Sequence, residues 1–266
     1  MIAAPRNGVP ATRASRGALA GTTVSGYALM RVFLAGAGGA IGRRLVPLLL
    51  RAGHEVTGTT RSAEKTKELE RAGVAPAVVD VFDAPAVGAA MRAAKAQVVI
   101  HQLTDLPREF DDALIAASYA KNARIRTEGT RNLIAAAQAC GARRFIVQSI
   151  AFGYGGGGEP HPETDPLDLS DPTRAVTIKG VADMEQQVLA SGLDAVILRY
   201  GFFYGPGTWH EEPTRKPGLH IDAAAQAAML ALTRGAGIYN IADEDGVVSI
   251  AKARAELGFD PQVRLP

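Results

Sequence analysis

The stretch Leu34–Leu45 reads LAGAGGAIGRRL, and its glycines determine how the rest of the chain is interpreted. It continues the apolar run MRVF and leads into a helical pattern that stops at Gly53, so it joins a buried strand to a helix. Gly36, Gly39 and Gly42 allow a tight turn, close backbone approach by a ligand and close packing of helix on strand. Free N–H groups at the start of such a helix suit the pyrophosphate of a dinucleotide. The alternative is a glycine-rich turn that binds nothing.

Short apolar runs alternate with helical runs from Met30 to about Tyr200. The apolar runs are MRVFLAGAGG, HEVTGTTR, VAPAVVDVFD, AQVVIHQL, RRFIVQSI and LDAVILRY. Such strands, separated by helices, predict a parallel sheet covered on both faces. Right-handed crossovers then give an α/β fold with a doubly wound parallel sheet, the Rossmann fold. We therefore predict a dinucleotide-binding domain over 30–200 and, where Pro and Gly increase, a small C-terminal substrate lobe over 201–266.

The composition excludes several classes of protein. The chain has 266 residues, of which 47% are hydrophobic and 21% charged, as expected of a soluble globular protein. Three arginines in residues 1–29 account for the net charge of +2, because the other 26 basic residues nearly balance 27 acidic ones. We therefore expect no nucleic-acid partner. Cys140 is the single cysteine, and no apolar run is long enough to cross a membrane, so a cytoplasmic protein is the default.

Residues 1–29 read MIAAPRNGVPATRASRGALAGTTVSGYAL, which is rich in small and hydroxyl residues and has no helical apolar face. The segment lacks the continuous apolar core of a secretory signal, although its basic, acid-free composition faintly resembles a transit peptide. The preferred interpretation is that Met30 is the natural start and that residues 1–29 are a disordered upstream extension.

The end of the second predicted strand bears on which nicotinamide cofactor fits. An NAD site usually places an acid there to bind the ribose 2′-hydroxyl, but the strand ends Thr59-Thr60-Arg61. Arg61 can bind a 2′-phosphate instead, and Arg43 can join it. This favours NADP, with NAD as the alternative if both arginines are merely solvated. Asp80, after the third strand, is placed either to contact adenine or to act as a turn residue.

Motifs in a fixed order, from Met30 to about Asn240, resemble the short-chain dehydrogenase/reductase superfamily. The resemblance is closer to its extended and atypical branch, often called NAD(P)-dependent epimerase/dehydratase-like. The motifs are GAGGAIGRRL, HEVTGTTR, VVIHQL, TEGTRNLIAAA, RRFIVQSIAFGYG, ETDPL, LRYGFFYGPG, HIDAAAQAAMLAL and GIYNIAD. Their order and spacing together are specific. The resemblance implies a Rossmann-type cofactor domain, a small-molecule substrate and, as a candidate assembly, a homodimer formed by helix pairing.

The same resemblance implies where the cofactor and the substrate lie. In the family the glycine loop, the end of the fourth strand and the turn after the sixth strand contact the cofactor. Here these positions are Gly36, Gly39, Ala40, Ile41, Gly42 and Arg43, then His101, Gln102 and Leu103, then Tyr200, Phe203 and Tyr204. The end of the fifth strand brings a hydroxyl to the substrate oxygen, and Ser149 is the candidate, one place before the position held by Ile150.

The chain departs from the family at the expected proton donor. The family's reductases and epimerases carry a Tyr four residues before a Lys, and the position before Lys179 is Ala175. Lys179 is then expected to bind the nicotinamide ribose, with the proton coming from elsewhere. Thr177 has a suitable hydroxyl but the wrong position relative to Lys179. The candidate donors are Tyr154, in the loop AFGYGGGG, Tyr200, Tyr204 and His210.

These residues favour an NADP-dependent oxidoreductase that transfers a hydride to or from a small carbonyl or hydroxyl compound. In this hypothesis Ser149 polarises the oxygen, Lys179 holds the ribose, and a substituted tyrosine, such as Tyr154, or water supplies the proton. A non-catalytic dinucleotide-binding regulator or redox sensor is the alternative. A nucleotide-sugar epimerase or dehydratase is disfavoured, because those reactions depend on the missing Tyr and on a larger C-terminal lobe. The His, Cys and acidic residues show no ligand spacing, which predicts no metal site.

Overall fold

The computed structural model describes residues 29–107 and 109–266, so the predicted extension lies almost wholly outside the described residues. The strands are β1 Arg31–Ala35, β2 Glu55–Thr60, β3 Ala75–Val78, β4 Val98–His101, β5 Arg144–Ile150, β6 Asp194–Tyr200, β7 Phe202–Tyr204, β8 Gly218–His220 and β9 Gly237–Ile241. The helices are α1 Ala40–Arg51, α2 Thr66–Arg71, α3 Ala84–Ala93, α4 Asp112–Arg124, α5 Thr130–Cys140, α6 Ala175–Leu189 and α7 Ile221–Leu230. A π-helical segment, Ile125–Gly129, joins α4 to α5.

The central sheet has seven strands in the order β3-β2-β1-β4-β5-β6-β9, and all its pairings are parallel. Leu34 of β1 is paired with Gly58 on one side and with Ile100 on the other. The strand order therefore reverses between β1 and β4, as in a doubly wound sheet. This confirms the predicted Rossmann fold and places the carboxyl ends of β1 and β4 at the crevice where such folds bind ligands.

Alternate residues of β1 belong to two separate hydrophobic cores, one on each face of the sheet. Val32 and Leu34 lie in a core built largely with α1 and α7, whereas Phe33 and Ala35 lie in one built with α3, α5 and α6. Because successive side chains of a strand point to opposite faces, a strand buried on both faces must be apolar at every position. The continuous apolar run before Gly36 has this origin.

The central sheet continues past the domain boundary predicted at residue 200, because its last strand, β9, comes from the C-terminal part of the chain. Strand β9 pairs with β6 over five positions, from Gly237 opposite Val196 to Ile241 opposite Tyr200. The helix α7 also packs against α1. The run GIYNI is short and follows a Pro- and Gly-rich stretch, so local pattern alone assigned it to a separate lobe.

Helix α4 was not predicted, because its apolar residues do not form a clear stripe. Its buried face is partly polar: Asn122 Nδ2 donates to the backbone carbonyls of Ser118, at 3.0 Å, and Asp105, at 3.1 Å. Its N-cap, Asp111, accepts a hydrogen bond from the Leu114 N–H at 2.9 Å. Within the described residues, no helix is both long enough and apolar enough to span a membrane.

Candidate functional site

A cleft of about 1220 Å³ runs along the carboxyl ends of the central strands, at the point where the strand order reverses. Ligand pockets usually measure roughly 300–1,000 Å³, so this cleft is large enough for an extended ligand together with a small one. Its lining comes from the glycine loop after β1, the ends of β2, β4, β5 and β6, the start of α6 and the loop after β7.

Two positions of the glycine loop, Gly36 and Gly42, have no room for a side chain. Gly36 has φ +99°, and a Cβ there would lie 2.7 Å from the carbonyl oxygen of Gln102. A Cβ on Gly42 would lie 2.3 Å from the oxygen of Gly36 and 2.4 Å from that of Ala37. These separations are far below van der Waals contact, so the strand, the turn and α1 pack at this distance only because both residues are glycine.

The start of α1 is open toward the cleft. Its N-cap is Gly39, which has no side chain to bond the first N–H groups of the helix. Those groups belong to Ala40, Ile41 and Gly42, and they have no intrahelical partner. A Cβ on Gly38 would meet nothing within 4 Å, which shows free space beside the loop. The loop therefore fits the pyrophosphate of a dinucleotide, since both N–H donors and room for close approach are present.

A cationic corner lies where β2 ends, and it is lined by Arg43, Arg61 and Lys65. Arg61 is 67% exposed and lies 3.5 Å from Asp105, a separation typical of a weak surface pair. Because that pair is weak, Arg61 can turn toward an anion in the cleft. Lys65, in the turn before α2, was missed by the sequence analysis. Glu68 also lines this part of the cleft.

Asp80 borders the cleft directly after β3. Its Oδ1 accepts a hydrogen bond from the Phe82 N–H at 2.9 Å, and the side chain is exposed. The carboxylate therefore stabilises a turn while one oxygen stays available. Its predicted contact with adenine remains a prediction.

The end of β4 brings Gln102 and Leu103 to the cleft and buries His101 behind them. His101 Nδ1 accepts a hydrogen bond from the Leu103 N–H at 3.2 Å, so Nε2 carries the proton. Burial, with a further contribution from Arg126, lowers the pKa of His101 to about 3, so the ring is neutral at physiological pH. No group of three or more His, Cys, Asp or Glu residues in 29–107 and 109–266 is arranged to hold a metal ion.

The hydroxyl of Ser149 belongs to a buried ionic network. It donates to Glu185 Oε1 at 2.6 Å, and Glu185 also forms a two-point ion pair with Arg199, at 2.9 and 2.6 Å. Ser149 borders the cleft, but only 4% of it is exposed and its proton already has an acceptor. The predicted role of Ser149 at a substrate oxygen therefore has no free hydroxyl to support it. Gln148 also lines the cleft.

Tyr154 belongs to the same network and does not line the cleft. Its hydroxyl donates to Asn240 Oδ1 at 2.6 Å and accepts from Arg199 Nη1 at 2.8 Å. Burial raises the pKa of the phenol, which makes it a weaker acid. The structure therefore does not bring this predicted proton donor to the site, because Arg199 and Asn240 hold it beside β6 and β9.

The three aromatic residues predicted near the nicotinamide end have different positions. Tyr200 and Phe203 line the cleft, and their rings lie 5.5 Å apart. Tyr204 does not line it, because its ring packs on His220 and its hydroxyl accepts from Arg264 at 3.3 Å. The Tyr200 hydroxyl is buried and bonded to Gln102 at 3.4 Å, and burial raises its pKa.

Lys179 lies on the outer face of α6 and is not brought to the cleft. Its side chain is 72% exposed, and Nζ lies 3.3 Å from Asp183. The residues of α6 that line the cleft are Thr177 and Ile178. At 100° per residue, Ala175 and Lys179 share one face of the helix, and that face is turned away from Thr177. The predicted ribose contact of Lys179 is therefore incompatible with the orientation of α6.

Replacing Lys179 tests this placement. We expect Lys179→Ala to change the dissociation constant of NADPH less than twofold, and to change the free energy of unfolding by less than about 0.5 kcal/mol, because an exposed ion pair contributes little. Asp183→Ala is the matched control and should behave identically. Isothermal titration calorimetry and urea denaturation give the two quantities. A tenfold loss of NADPH affinity in Lys179→Ala alone would restore the role predicted from the sequence.

Arg126 and Thr177 form a cation–hydroxyl pair in the cleft that the sequence analysis did not assign. Arg126 Nη1 donates to the Thr177 hydroxyl and, at 3.3 Å, to its carbonyl oxygen. Arg126 lies in the π-helical segment, a type of irregularity often found at functional sites. A sequence signal exists for Arg126, since it stands seven residues before the buried Leu133 and so shares its helical phase.

Aromatic side chains line the other end of the cleft. Phe152 and Phe202 are stacked with ring centroids 3.9 Å apart, and Phe110 and Trp209 meet edge to face at 5.7 Å. The indole N–H of Trp209 donates to the Pro107 carbonyl at 3.2 Å. This end therefore offers flat apolar surfaces to a planar ligand.

Comparison with known proteins agrees with this geometry. The family described as NAD(P)H-binding matches residues 36–228. The 3-diazoavenalumate denitrifying reductase of a Streptomyces species is 41% identical over 230 residues, covering 85% of this chain and 72% of the relative.

Solved structures with the same fold include two UDP-glucose 4-epimerases. The enzyme of Thermotoga maritima, solved with UDP-glucose, has a TM-score of 0.71 at 18% identity and covers 88% of this chain and 94% of its own. The enzyme of Thermus thermophilus, solved with NAD, has a TM-score of 0.70 at 23% identity, and the match covers 89% of this chain and 95% of that enzyme. The chain therefore belongs to the NAD(P)H-binding family, it shares the fold of these epimerases, and it is an NAD(P)-dependent oxidoreductase.

Proposed function

We propose that the protein is an NADPH-dependent reductase that delivers a hydride to a small aromatic electrophile. One observation carries the proposal: a single cleft joins the glycine loop and the cationic corner at one end to the aromatic surfaces at the other. A dinucleotide and a planar substrate can therefore lie side by side in it. The 41% identical relative, which is named as a reductase, supports the direction of the reaction.

The residues of the cleft divide the binding of the cofactor between them. The N–H groups of Ala40 to Gly42 receive the pyrophosphate, and Arg43, Arg61 and Lys65 receive the 2′-phosphate. When bound, the cofactor supplies the hydride. The aromatic side chains at the far end hold the substrate and exclude water from it.

For a carbonyl substrate, Thr177 is the candidate hydrogen-bond donor to the oxygen. Its hydroxyl accepts from Arg126, which leaves its own proton free to donate toward the cleft. The pair thus provides the hydroxyl and the cation that Ala175 and Lys179 do not provide. Tyr119 also lines the cleft, two helical turns before Arg126, and is a second source of a proton.

A diazo substrate is the second candidate, because its reduction requires no proton on an oxygen. Hydride adds to the terminal nitrogen of an arenediazonium cation, and the nitrogen–nitrogen bond order falls from three to two. The carbon–nitrogen bond of the resulting aryldiazene then breaks, dinitrogen leaves, and the ring carbon takes the hydrogen. One cation and one hydride thus give one arene and one dinitrogen. The name of the Streptomyces relative and the absence of the tyrosine–lysine pair from the described cleft both favour this candidate.

The test is consumption of NADPH by the full-length protein in the presence of benzaldehyde, cinnamaldehyde or benzenediazonium, each corrected for the rate without enzyme. We expect at least one aromatic electrophile to be reduced, and release of dinitrogen from an isotope-labelled diazo group would select the second candidate. If NADPH binds but no member of the panel consumes it, the proposed substrate class is wrong.

Replacement of Arg61 tests the preference for NADPH. We expect Arg61→Ala to raise the dissociation constant of NADPH about tenfold, since a charge-assisted bond to the 2′-phosphate contributes roughly 1.5–3 kcal/mol. The dissociation constant of NADH should not change. Arg71→Ala, an exposed arginine of α2 away from the cleft, is the matched control. Equal losses for the two cofactors would contradict this assignment.

A further inference from the structure

Arg126 is a positive charge that the protein itself does not neutralise. No carboxylate of residues 29–107 and 109–266 lies within 4.0 Å of its guanidinium, and the remaining residues include no Asp or Glu. The acids Glu128, in the same π-helical segment, and Glu185, on α6 with Thr177, have other partners, since Glu128 binds Arg124 at 2.7 Å and Glu185 binds Arg199 at 2.6 Å. Burial lowers the pKa of Arg126 to about 10, so the group is still protonated at neutral pH.

The hydrogen-bonding capacity of Arg126 is also largely unused. A guanidinium carries five N–H donors, and only Nη1 donates within the described part of the chain, both times to Thr177. The Nε and Nη2 donors are left for a ligand, and Arg126 lines the cleft. Thr177 is 7% exposed and lies on α6, so its two contacts fix the orientation of the guanidinium. Arg126 is half-buried, and neither Nε nor Nη2 is among the buried unpaired atoms of the described residues, so both are open to a ligand in the cleft.

The position of Arg126 separates it from the phosphates of a dinucleotide. The cationic corner lies at the end of β2, on one side of β1, whereas Thr177 belongs to α6, which packs on β5 on the other side, and Arg126 is bonded to Thr177. The pyrophosphate position at the start of α1 lies between the two regions. Arg126 is therefore at the substrate end of the cleft, where Phe152 and Phe202 supply stacked apolar surface.

The other arginines at this end, Arg174 and Arg215, do not offer the same charge. Arg174 Nε lies 2.6 Å from Asp171, so its charge is balanced. Arg215 lies 5.0 Å above the ring of Phe110, and its Nη2 is 3.2 Å from Asp112. Its charge is therefore balanced by the protein and exposed to solvent. A half-buried, unbalanced monocation in a cleft with aromatic surfaces matches a ligand with one negative charge and a planar ring.

We infer that Arg126, oriented by Thr177, binds the carboxylate of an aromatic acid and so determines which substrates enter the reductase cleft. That these acids are substrates rests on the proposed function, but their binding to Arg126 does not depend on turnover. The Nε and Nη2 donors form a fork that matches the two oxygens of a carboxylate. A neutral analogue would leave the cation unpaired, and the site would discriminate against it.

The experiment measures binding of trans-cinnamate and of the neutral cinnamamide to the full-length protein saturated with NADP⁺, by isothermal titration calorimetry. In the wild type we expect cinnamate to bind at least tenfold more tightly than cinnamamide. Arg126→Met should weaken cinnamate binding tenfold or more and abolish the difference between the two compounds. The affinity of Arg126→Lys for cinnamate should lie between those of the wild type and Arg126→Met, because a lysine keeps the charge but loses the forked pair of donors. Arg131→Met, an exposed arginine of α5, is the matched control and should keep the wild-type ratio.

Two results would overturn the inference: a wild-type protein that does not distinguish cinnamate from cinnamamide, or an Arg126→Met variant that still does. An unchanged NADPH dissociation constant in each variant shows that the variant is folded. If Arg126→Met does not fold, Arg126→Lys is used for the test in its place. Loss of NADPH turnover with every electrophile, while the cinnamate preference persists, would reject the proposed reaction and leave the carboxylate site in place.

Discussion

Replacing Gly42 with alanine should destabilise the protein by more than about 3 kcal/mol and abolish measurable NADPH binding. The added Cβ would lie 2.3 Å from the Gly36 oxygen and 2.6 Å from the Ala37 carbonyl carbon. Both are backbone atoms, so no side chain can turn away to relieve the contact. Overpacking of a core costs roughly 1–3 kcal/mol even where side chains can adjust. The loop that positions the first N–H groups of α1 must therefore move.

The matched control is Gly38→Ala, in the same loop. A Cβ on Gly38 meets nothing within 4 Å, and its φ is not in the left-handed region. We expect the free energy of unfolding to stay within about 0.5 kcal/mol of the wild type. Chemical denaturation followed by circular dichroism gives both values, and calorimetry gives NADPH affinity. Equal stability for the two variants would show that helix and strand can separate here without cost.

The second large effect concerns the buried ion pair beneath the cleft. We expect Glu185→Ala to lower the free energy of unfolding by about 3–5 kcal/mol, because it leaves the Arg199 guanidinium buried without a counter-charge. The side chains of Glu185 and Arg199 are only 6% and 5% exposed, so water cannot replace the lost carboxylate. The Ser149 hydroxyl would also lose its acceptor. Urea denaturation measures the change.

Two variants separate this cost from the loss of any acid on α6. Asp183→Ala removes an acid two residues earlier whose side chain is 39% exposed, and it should cost less than about 0.5 kcal/mol. The double variant Glu185→Leu with Arg199→Met removes both charges, and it should be more stable than Glu185→Ala. If the double variant were the less stable of the two, the ion pair itself would be a net source of stability.

The fold and the cofactor end of the cleft could be predicted from the sequence because their signals are local. The glycine spacing at Gly36, Gly39 and Gly42 and the apolar runs before and after it describe one strand, one turn and one helix. Arg43 and Arg61 follow those elements directly. Each conclusion needs only the chain on either side of it, and the structure places Gly36, Gly39, Arg43 and Arg61 around one cleft.

The substrate end of the cleft could not be predicted in the same way, because it depends on which face of α6 meets the sheet and on contacts between distant segments. The four-residue spacing from Ala175 to Lys179 defines a face of a helix but not its direction. Ser149 is bonded to Glu185, 36 residues away, and Arg126 to Thr177, 51 residues away. Local periodicity indicates neither pairing. It does indicate that Arg126 lies on the same helix face as buried residues.

A side-by-side calorimetric titration of the wild-type protein with NADPH and NADH tests the central claim most directly, because the cleft is assigned from its glycine loop and its cationic corner. We expect both dinucleotides to bind and NADPH to bind at least tenfold more tightly, since Arg43, Arg61 and Lys65 line the proposed place of the 2′-phosphate. Tighter binding of NADH, or no binding of either dinucleotide, would contradict this expectation.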